Sequence, residues 1–194
     1  TVGDVVFGTS IDVCSDILVN LSGSDGGIIE TYYNNVSVNI TNRVLRTILF
    51  CNSTGTNITN TTITNVLEVH YSNNTYIDGI NMTTGYYGVK IKDSWYSTIT
   101  NSIFNIYDKA IFVSGNLHYS NITNNVFNAT AEAAQITYNS VGRTNTHNLF
   151  DNNTCISSGV QRALWLQGYA NDNTFSNNYL KGGNQSTTGL LFRG

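Results

Sequence analysis

The stretch Ser120-Asn-Ile-Thr-Asn-Asn-Val-Phe127 contains the frame that decides the fold. In this stretch an apolar anchor, Ile122, is followed two positions later by Asn124 and five positions later by the apolar Phe127. The frame recurs from seven anchors, which are Ile40, Ile58, Ile77, Ile99, Ile122, Phe150 and Phe175. These anchors lie 18, 19, 22, 23, 28 and 25 residues apart, which is the period expected when one repeat forms one coil of a solenoid.

The asparagine of the frame is present in six of the seven repeats, and the remaining repeat has Gly79. Asparagine and glycine both tolerate the left-handed backbone conformation that a tight bend requires. We therefore predict an internal ladder in which each asparagine hydrogen-bonds to its counterpart on the next coil. The predicted members of this structural ladder are Asn42, Asn60, Asn101, Asn124, Asn152 and Asn177.

A second apolar pattern follows each anchor. Two apolar residues spaced by two, such as Ile111 and Val113, recur in every repeat, and this spacing is typical of a strand with one buried face. From each pair to the next anchor the chain takes 8 or 9 residues with one exception, whereas the gap from an anchor to its pair grows from 8 to 15 residues. One corner of each coil is therefore nearly fixed, and another varies in length.

These patterns predict an all-β fold, namely a single-stranded right-handed parallel β-helix of about seven to eight coils, each of 18–28 residues. The absence of proline agrees with strands that have hydrogen-bonded neighbours on both sides. One domain is expected over residues 1–194. Residues 36–194 would form the regular coils, and residues 1–35 an N-terminal cap or an irregular first coil.

Composition excludes some classes of function. Only 11% of the residues are charged and the net charge is −3, so no basic surface for nucleic acid is expected. No apolar run approaches the length of a transmembrane helix, so we expect no membrane span. Of the three cysteines, Cys155 falls on an inward frame position and is expected to be a buried apolar residue, and the sequence leaves open whether Cys14 and Cys51 form a disulfide.

Asn-x-Ser/Thr sequons are twice as frequent as composition predicts, with twelve present against about six expected by chance. Their number favours a glycosylated extracellular surface, although the alternative that they merely echo the repeat remains open. The candidate glycosylation sites are Asn20, Asn35, Asn39, Asn52, Asn57, Asn60, Asn73, Asn81, Asn121, Asn128, Asn152 and Asn184.

The repeats also resemble a known family. The stretches from Ser120 to Phe127, His147 to Thr154 and Asn173 to Leu180 resemble the NosD-like repeats of right-handed parallel β-helix proteins in the pectate-lyase-like superfamily. The resemblance covers residues 36–194 and implies the fold. It leaves the function open, because the superfamily includes polysaccharide lyases, glycoside hydrolases, viral tailspikes, adhesins and surface-layer proteins.

No catalytic or metal site follows from this resemblance. The calcium-binding aspartate cluster expected of a family lyase has no counterpart here, and no copper ligands are recognisable among the separated histidines, so we expect no metal and no cofactor. Stacking the coils places Glu68 opposite Lys90, which predicts an ion pair between strands. Glu68, His70 and Lys92 are weak catalytic candidates.

Aromatic residues are better candidates for a binding surface. Phe112 and Trp165 share one outward row, two coils apart, and Tyr96 and Tyr119 share the position three residues before an anchor. The alternative is that long loops cover these rings. A row of outward threonines in the first strand of the repeat gives a minor alternative, an ice-binding surface. The row consists of Thr41, Thr59, Thr100 and Thr123, and Asp78 and Asp151 interrupt it.

Together these features favour an extracellular or virion-surface structural or attachment protein. Such a rigid, glycosylated spike or adhesin module would bind glycans or a cell-surface receptor and would self-associate or assemble into a larger surface structure. The composition is similar to that of surface proteins of archaea and their viruses.

The alternative is a polysaccharide lyase or glycoside hydrolase of the same fold, which requires two carboxyl groups about 5–9.5 Å apart. Asp78 and Asp151 share a frame position but lie three coils, or about 14 Å, apart.

Overall fold

The protein is a parallel β-solenoid. The structure, a computed structural model, describes residues 28–136, 144–159, 161–167, 171–183 and 190–193. In these ranges every pair of neighbouring strands is parallel. The predicted all-β parallel β-helix is therefore confirmed.

The strands form three sheets that run along the solenoid. The first sheet has thirteen strands: β1 (Ile29–Tyr33), β3 (Val44–Cys51), β5 (Thr62–His70), β7 (Asn81–Met82), β8 (Tyr87–Lys92), β11 (Ile103–Ile106), β12 (Lys109–Val113), β15 (Val126–Ala129), β16 (Ala134–Ile136), β19 (Thr154–Ser157), β20 (Leu164–Gln167), β22 (Tyr179–Lys181) and β23 (Leu190–Arg193). The second has seven: β2 (Asn39–Thr41), β4 (Asn57–Thr59), β6 (Tyr76–Asp78), β10 (Thr98–Thr100), β14 (Asn121–Thr123), β18 (Leu149–Asp151) and β21 (Thr174–Ser176). The third has three: β9 (Ser94–Trp95), β13 (Leu117–His118) and β17 (Asn145–Thr146).

The first sheet covers two sides of the solenoid. The long strand β5 pairs with both β7 and β8 of the next coil, and from that coil onward two shorter strands replace one long strand. We call β7, β11, β15, β19 and β22 the first half-sheet and β8, β12, β16, β20 and β23 the second half-sheet. The loop between them is the corner of variable length predicted from the sequence.

The predicted anchors stack directly on one another. Ile58 pairs with Ile40 on one side and with Ile77 on the other, and the same register continues to Phe150 and Phe175. The seven strands of the second sheet enclose six complete turns. This number is smaller than the expected seven to eight coils, because seven stacked strands delimit six turns and residues 1–27 lie outside the described part of the chain.

The anchors and the inward residues of the first sheet fill one continuous apolar core. Phe104 and Phe127 are fully buried and stack with their ring centroids 5.4 Å apart. Phe150 and Phe175 stack in the same way at 4.8 Å. Each ring thus packs on the ring one coil away, so that the column of side chains excludes water along the axis of the solenoid.

The six asparagines predicted as an internal ladder lie at left-handed bends but on the outside of the solenoid. Their φ angles range from 48° to 58°, and all six side chains are exposed. The bend turns these side chains away from the core, so the next residue points inward in the later coils, as Ser102, Asn125 and Asn153 do. In the first coil the next residue is the exposed Arg43. Some outer contacts between coils do form, as between Asn152 and Asn124 at 2.8 Å.

The internal ladder is formed by the residues directly after these bends. Oδ1 of Asn125 accepts a hydrogen bond from the backbone N–H of Ser102 at 3.0 Å, and Oδ1 of Asn153 accepts one from the backbone N–H of Asn125 at 3.0 Å. Asn178 continues the column by accepting from Asn153. The predicted ladder was therefore placed one residue too early.

The N-terminal region and the cysteines complete the description. Most of the predicted cap, including Cys14, lies outside the described residues, whereas Ile29–Tyr33 already pairs in parallel with β3 as part of a coil. Cys51 is disulfide-bonded. Cys155 is free and only 4% exposed, and burial raises the pKa of its thiol to about 12.

Candidate functional site

The outer side of β5 and of the second half-sheet, with the loops that lead into its strands, concentrates charged and aromatic residues. Register places Glu68 opposite Lys90, Lys90 opposite Phe112, and Gln135 between Phe112 and Trp165, as predicted. We call this surface the charged–aromatic face; its members are Glu68, His70, Tyr87, Lys90, Lys92, Asp108, Lys109, Phe112, Glu132, Gln135, Arg162 and Trp165.

The predicted ion pair between Glu68 and Lys90 is present, with Nζ of Lys90 2.9 Å from Oε1 of Glu68. Nε2 of His70 lies 3.1 Å from Oε2 of the same carboxylate, but this contact does not meet hydrogen-bond geometry. Burial alone would raise the pKa of Glu68, but the approach of His70 and the charge of Lys90 outweigh it and lower the pKa. Glu68 is only 3% exposed, so the trio stabilises the sheet and leaves little room for a substrate.

The third weak catalytic candidate lies apart from this carboxylate. Lys92 is in register with His70, and its Nζ sits 5.7 Å from the centre of the Tyr71 ring. His70 is buried, and its Nδ1 has no hydrogen-bond partner in the described chain. Glu68, His70 and Lys92 thus lie on one face, where the short contact is the one between Glu68 and His70.

Phe112 and Trp165 are half-buried. The ring of Tyr87 stacks on Phe112 with centroids 5.9 Å apart. The guanidinium of Arg162 lies 4.8 Å from the centre of the Trp165 ring. These neighbours cover much of both rings, so the two predicted ligand-binding residues are only partly available for a ligand.

A buried cluster around Lys109 was missed at the sequence level. Nζ of Lys109 lies 2.9 Å from Oδ2 of Asp108 and 3.5 Å from Oε2 of Glu132. The amide of Gln161, oriented with its nitrogen toward Glu132, donates to both oxygens of that carboxylate. Burial alone would lower the pKa of Lys109, but the hydrogen bond and charge of Asp108, with the charge of Glu132, raise it.

The alignment of neighbouring coils in the sequence already predicts part of this cluster. Counting two residues back from the paired Ile111 and Ala134 places Lys109 opposite Glu132, which is the position of their contact. The apolar pair itself places only the residues from its first member onward, so the pattern alone predicts a loop at the start of these strands.

A strongly exposed stack of three rings lies at a different corner, between the third and second sheets. The ring of Tyr119 stacks on Tyr96 at 5.3 Å and on His147 at 4.8 Å. Tyr96 is 57% exposed, Tyr119 is 49% exposed, and His147 is also exposed. We call these three residues the aromatic corner. It contains two of the four ligand-binding residues predicted from the sequence, in the row that the repeat predicted.

A second pair of rings flanks the aromatic corner. Trp95 and His118 stack with centroids 5.7 Å apart, and Nδ1 of His118 is 2.9 Å from Oγ1 of Thr146. Partial burial and the nearby His147 lower the pKa of His118 against the opposing effect of Asp93. The region is therefore wide and aromatic, and His118 favours the neutral form.

The sequon asparagines and the ladder asparagines occupy different positions. Among the ten candidate glycosylation sites within the described residues, seven are exposed, three are half-buried and none is buried. The exposed sites are Asn35, Asn39, Asn52, Asn60, Asn81, Asn121 and Asn152, and the half-buried sites are Asn57, Asn73 and Asn128. Asn20 and Asn184 lie outside the described residues. No sequon falls on the charged–aromatic face.

The threonine row of the second sheet is interrupted as expected. Thr41 and Thr59 lie in register and approach to 2.9 Å between their hydroxyl oxygens, but the next coil presents Asp78. Thr100 and Thr123 form a second hydroxyl pair at 3.1 Å. The next coil after Thr123 presents Asp151, so no continuous hydroxyl array forms for ice binding.

Neither a metal centre nor a relative identifies the site. In the ranges described, no three His, Cys, Asp or Glu side chains come together as a metal site would require, and no helix there is long and apolar enough to cross a membrane. Comparisons with protein-family models, with curated proteins and with solved structures found no match to this chain.

Proposed function

We propose that the chain is an extracellular or virion-surface attachment module, in which a rigid glycosylated β-helix binds glycans, alone or on a cell-surface receptor, through the aromatic corner. The observation that carries the proposal is the backbone conformation of this corner. Tyr96, Tyr119 and His147 have φ angles of 54°, 51° and 59°. A bulky side chain in the left-handed region is an outlier, and such outliers cluster at functional sites.

The same bend in other coils uses residues that suit it better, such as Gly55 and Asn74. Stacking between neighbouring rings returns about 0.5–1.5 kcal/mol per pair, which offsets a backbone cost of about 1–3 kcal/mol per residue. Because asparagine would form the bend without that cost, three adjacent exposed rings favour a role in binding. Flat rings held about one coil apart suit the apolar faces of sugar rings.

Replacing both tyrosines by asparagine tests this proposal. The Tyr96→Asn/Tyr119→Asn variant should keep or raise the melting temperature, since asparagine suits the bend, and should lose at least tenfold in binding to a printed glycan array. A matched control is Tyr179→Asn, which removes an exposed ring elsewhere. A variant that melts well below the wild type and binds as the wild type does would show that the rings serve only the fold.

The position of the sequons supports the extracellular part of the proposal. The asparagines that build the internal ladder, such as Asn125 and Asn153, are not the acceptor asparagine of any sequon, whereas none of the described acceptor asparagines is buried. Intact-mass measurement of natively produced protein should therefore show added sugar. Unmodified asparagine at every sequon would contradict a glycoprotein.

We also propose that the chain belongs to the pectate-lyase-like superfamily and that it assembles into a larger surface structure. This proposal is supported by the resemblance of the repeats to that superfamily, which includes tailspikes, adhesins and surface-layer proteins. Light scattering of the purified protein should give a mass above that of a monomer, and a monomer at micromolar concentration would contradict assembly by self-association.

The buried cluster around Lys109 favours a second candidate function, a polysaccharide hydrolase or lyase. Since both carboxylates contact the same Nζ, Oδ2 of Asp108 and Oε2 of Glu132 are no more than 6.4 Å apart, and glycoside hydrolysis requires two neighbouring carboxyl groups. Glu132 is buried and both carboxylates pair with Lys109, which argues for an ion-pair network. Hydrolysis of an acidic or neutral polysaccharide that Asp108→Asn abolishes would raise this candidate, and inactivity across both classes would remove it.

A further inference from the structure

A polar groove of about 310 Å³ runs along the variable corner between the two half-sheets. Its polar lining residues are Asn105, Asn128, Tyr107, Thr83, Thr84, Thr130 and Ser158, and Gly85, Ile106 and Ala129 complete the lining. Its volume is at the lower end of the range of small-molecule sites. The groove lies on a different corner from the aromatic corner, and none of the candidate ligand-binding residues predicted from the sequence lines it.

Two amides in register face this groove without internal partners. Asn105 pairs with Asn128 on the next coil, so the side chains are about 4.8 Å apart along the solenoid. Neither side chain hydrogen-bonds to the rest of the described chain, whereas Asn125 and Asn153 use both amide atoms in the internal ladder. The groove amides are therefore available to a ligand as donors and acceptors.

One aromatic residue, Tyr107, lines the groove, and a second ring, that of Tyr86, lies beside it. Tyr107 is 65% exposed, and its ring lies 5.7 Å from that of Tyr86, which is 54% exposed. A large exposed ring beside free amides and hydroxyls is the combination that recognises a sugar, whose rings have apolar faces and polar edges.

The walls are held by hydrogen bonds from coil to coil. The backbone N–H of Tyr107 donates to the carbonyl of Gly85 at 3.0 Å, that of Thr130 to Tyr107 at 3.1 Å, and that of Gly159 to Thr130 at 2.9 Å. A Cβ at Gly85 would lie 2.3 Å from the carbonyl oxygen of Asn65, and its φ of 120° also requires glycine. The groove is thus pre-formed, which lowers the entropy cost of binding.

We propose that this groove is a subsite for a neutral saccharide, which extends the sugar recognition proposed above and rests on it. Among the described residues none that lines the groove is charged, so none of them would compensate a uronate, sialate or phosphate group. The saccharide has two sources. It is either an external chain or the sugar attached to the protein's own Asn128, since Asn128-Ala129-Thr130 is a sequon within the lining.

The first experiment uses protein made in a bacterial host without N-glycosylation. Binding of cellohexaose, maltohexaose, mannohexaose and xylohexaose is measured by calorimetry, with trigalacturonate as the charged control. We expect at least one neutral hexaose to bind, trigalacturonate not to bind, and Asn105→Ala to weaken binding at least tenfold. Asn81→Ala, an exposed asparagine of the same half-sheet outside the groove, should bind as the wild type does, and equal melting temperatures show that both variants fold.

The second experiment uses natively glycosylated protein. If the groove holds the protein's own sugar, an endoglycosidase should release the glycan of Asn128 at least tenfold more slowly than that of the exposed Asn121, and Tyr107→Ala should remove the difference. The proposal is overturned if no neutral hexaose binds the unglycosylated protein and the Asn128 glycan is absent or released as fast as that of Asn121. It is also overturned if the hexaose binding persists in Asn105→Ala but is lost in Tyr96→Asn/Tyr119→Asn, a result that would leave the aromatic corner as the sugar site.

Discussion

Oδ1 of Asn153 accepts two hydrogen bonds from Asn125 on the preceding coil, one from the backbone N–H at 3.0 Å and one from Nδ2 at 3.1 Å. Nδ2 of Asn153 in turn donates to the carbonyl of Ile122 at 2.7 Å and to Oδ1 of Asn178 at 3.0 Å. Each ladder amide therefore satisfies the backbone of its neighbour at a bend, where the sheet cannot supply these bonds.

Replacing Asn153 by alanine should destabilise the protein by about 3 kcal/mol. The change leaves the buried backbone N–H of Asn125 without an acceptor, which costs about 1–3 kcal/mol. It also removes the bonds of the Asn153 side chain to Nδ2 of Asn125, to the carbonyl of Ile122 and to Oδ1 of Asn178. Chemical denaturation, with the slope of the transition checked for two-state behaviour, measures the difference.

The neighbouring residue provides the control for this prediction. Asn152 is exposed and has a φ of 53°, so Asn152→Gly keeps the bend and should change the free energy of unfolding by less than about 1 kcal/mol. Equal effects at the two positions would contradict the assignment of the internal ladder to the residue after the bend.

The sequence predicted the coil-to-coil register correctly because one buried column fixes all the others. Once Ile122 is aligned with Ile99 and Phe150, the alternation of side chains places the residues of the second sheet, and the apolar pairs place those of the second half-sheet. The internal ladder was misplaced by one residue because both Asn124 and Asn125 are asparagines. Only the backbone angle shows which of the two turns outward.

The variable corner could not be predicted from the repeat. Its loops differ in length from coil to coil, so no residue of one loop has a fixed counterpart in the next. The polar groove that contains Asn105 and Asn128, and the approach of Asp108 to Lys109, depend on the path of these loops. The contact between Tyr87 and Phe112 also depends on the path of these loops, so the repeat alone does not predict how exposed Phe112 is.

Removing the charge of Lys109 should destabilise the protein by about 2–3 kcal/mol. In Lys109→Met, the carboxylates of Asp108 and Glu132 remain largely buried without the cation between them. The cost is somewhat below the 3–5 kcal/mol of a fully buried pair because the lysine is partly exposed. Thermal and chemical denaturation at pH 7 provide the measurement.

Lys181→Met is the matched control, since Lys181 is an exposed lysine at the end of β22 and its loss should cost less than about 0.5 kcal/mol. If the loss of Lys109 were as mild as that of Lys181, the cluster would not contribute to the fold. The candidate role of the two carboxylates in hydrolysis would then gain support.

Cys155 should not react with iodoacetamide in the folded protein at pH 8. The thiolate is the reactive form, and burial raises the pKa of this thiol to about 12 while leaving only 4% of the residue exposed. Mass spectrometry should find Cys155 alkylated only after unfolding in denaturant without reductant, with the disulfide-bonded Cys51 unmodified under the same conditions. Labelling of Cys155 at the rate of a small-molecule thiol would contradict its burial.

The contribution of Glu68 to stability should disappear in acid. Its pKa is lowered in the folded state, because His70 and Lys90 outweigh the opposing effect of burial. As the pH falls below about 4.3, the ordinary glutamate value, the unfolded chain binds a proton that the folded chain does not, so the folded state loses stability until the lowered pKa is passed. Glu68→Gln should therefore cost about 1–3 kcal/mol at pH 7 and clearly less at pH 3, measured by denaturation at both pH values. Asp172→Asn, at an exposed aspartate, controls for the loss of a carboxylate. If Glu68→Gln cost the same free energy of unfolding at both pH values, the ion pair with Lys90 would not lower the proton affinity of Glu68.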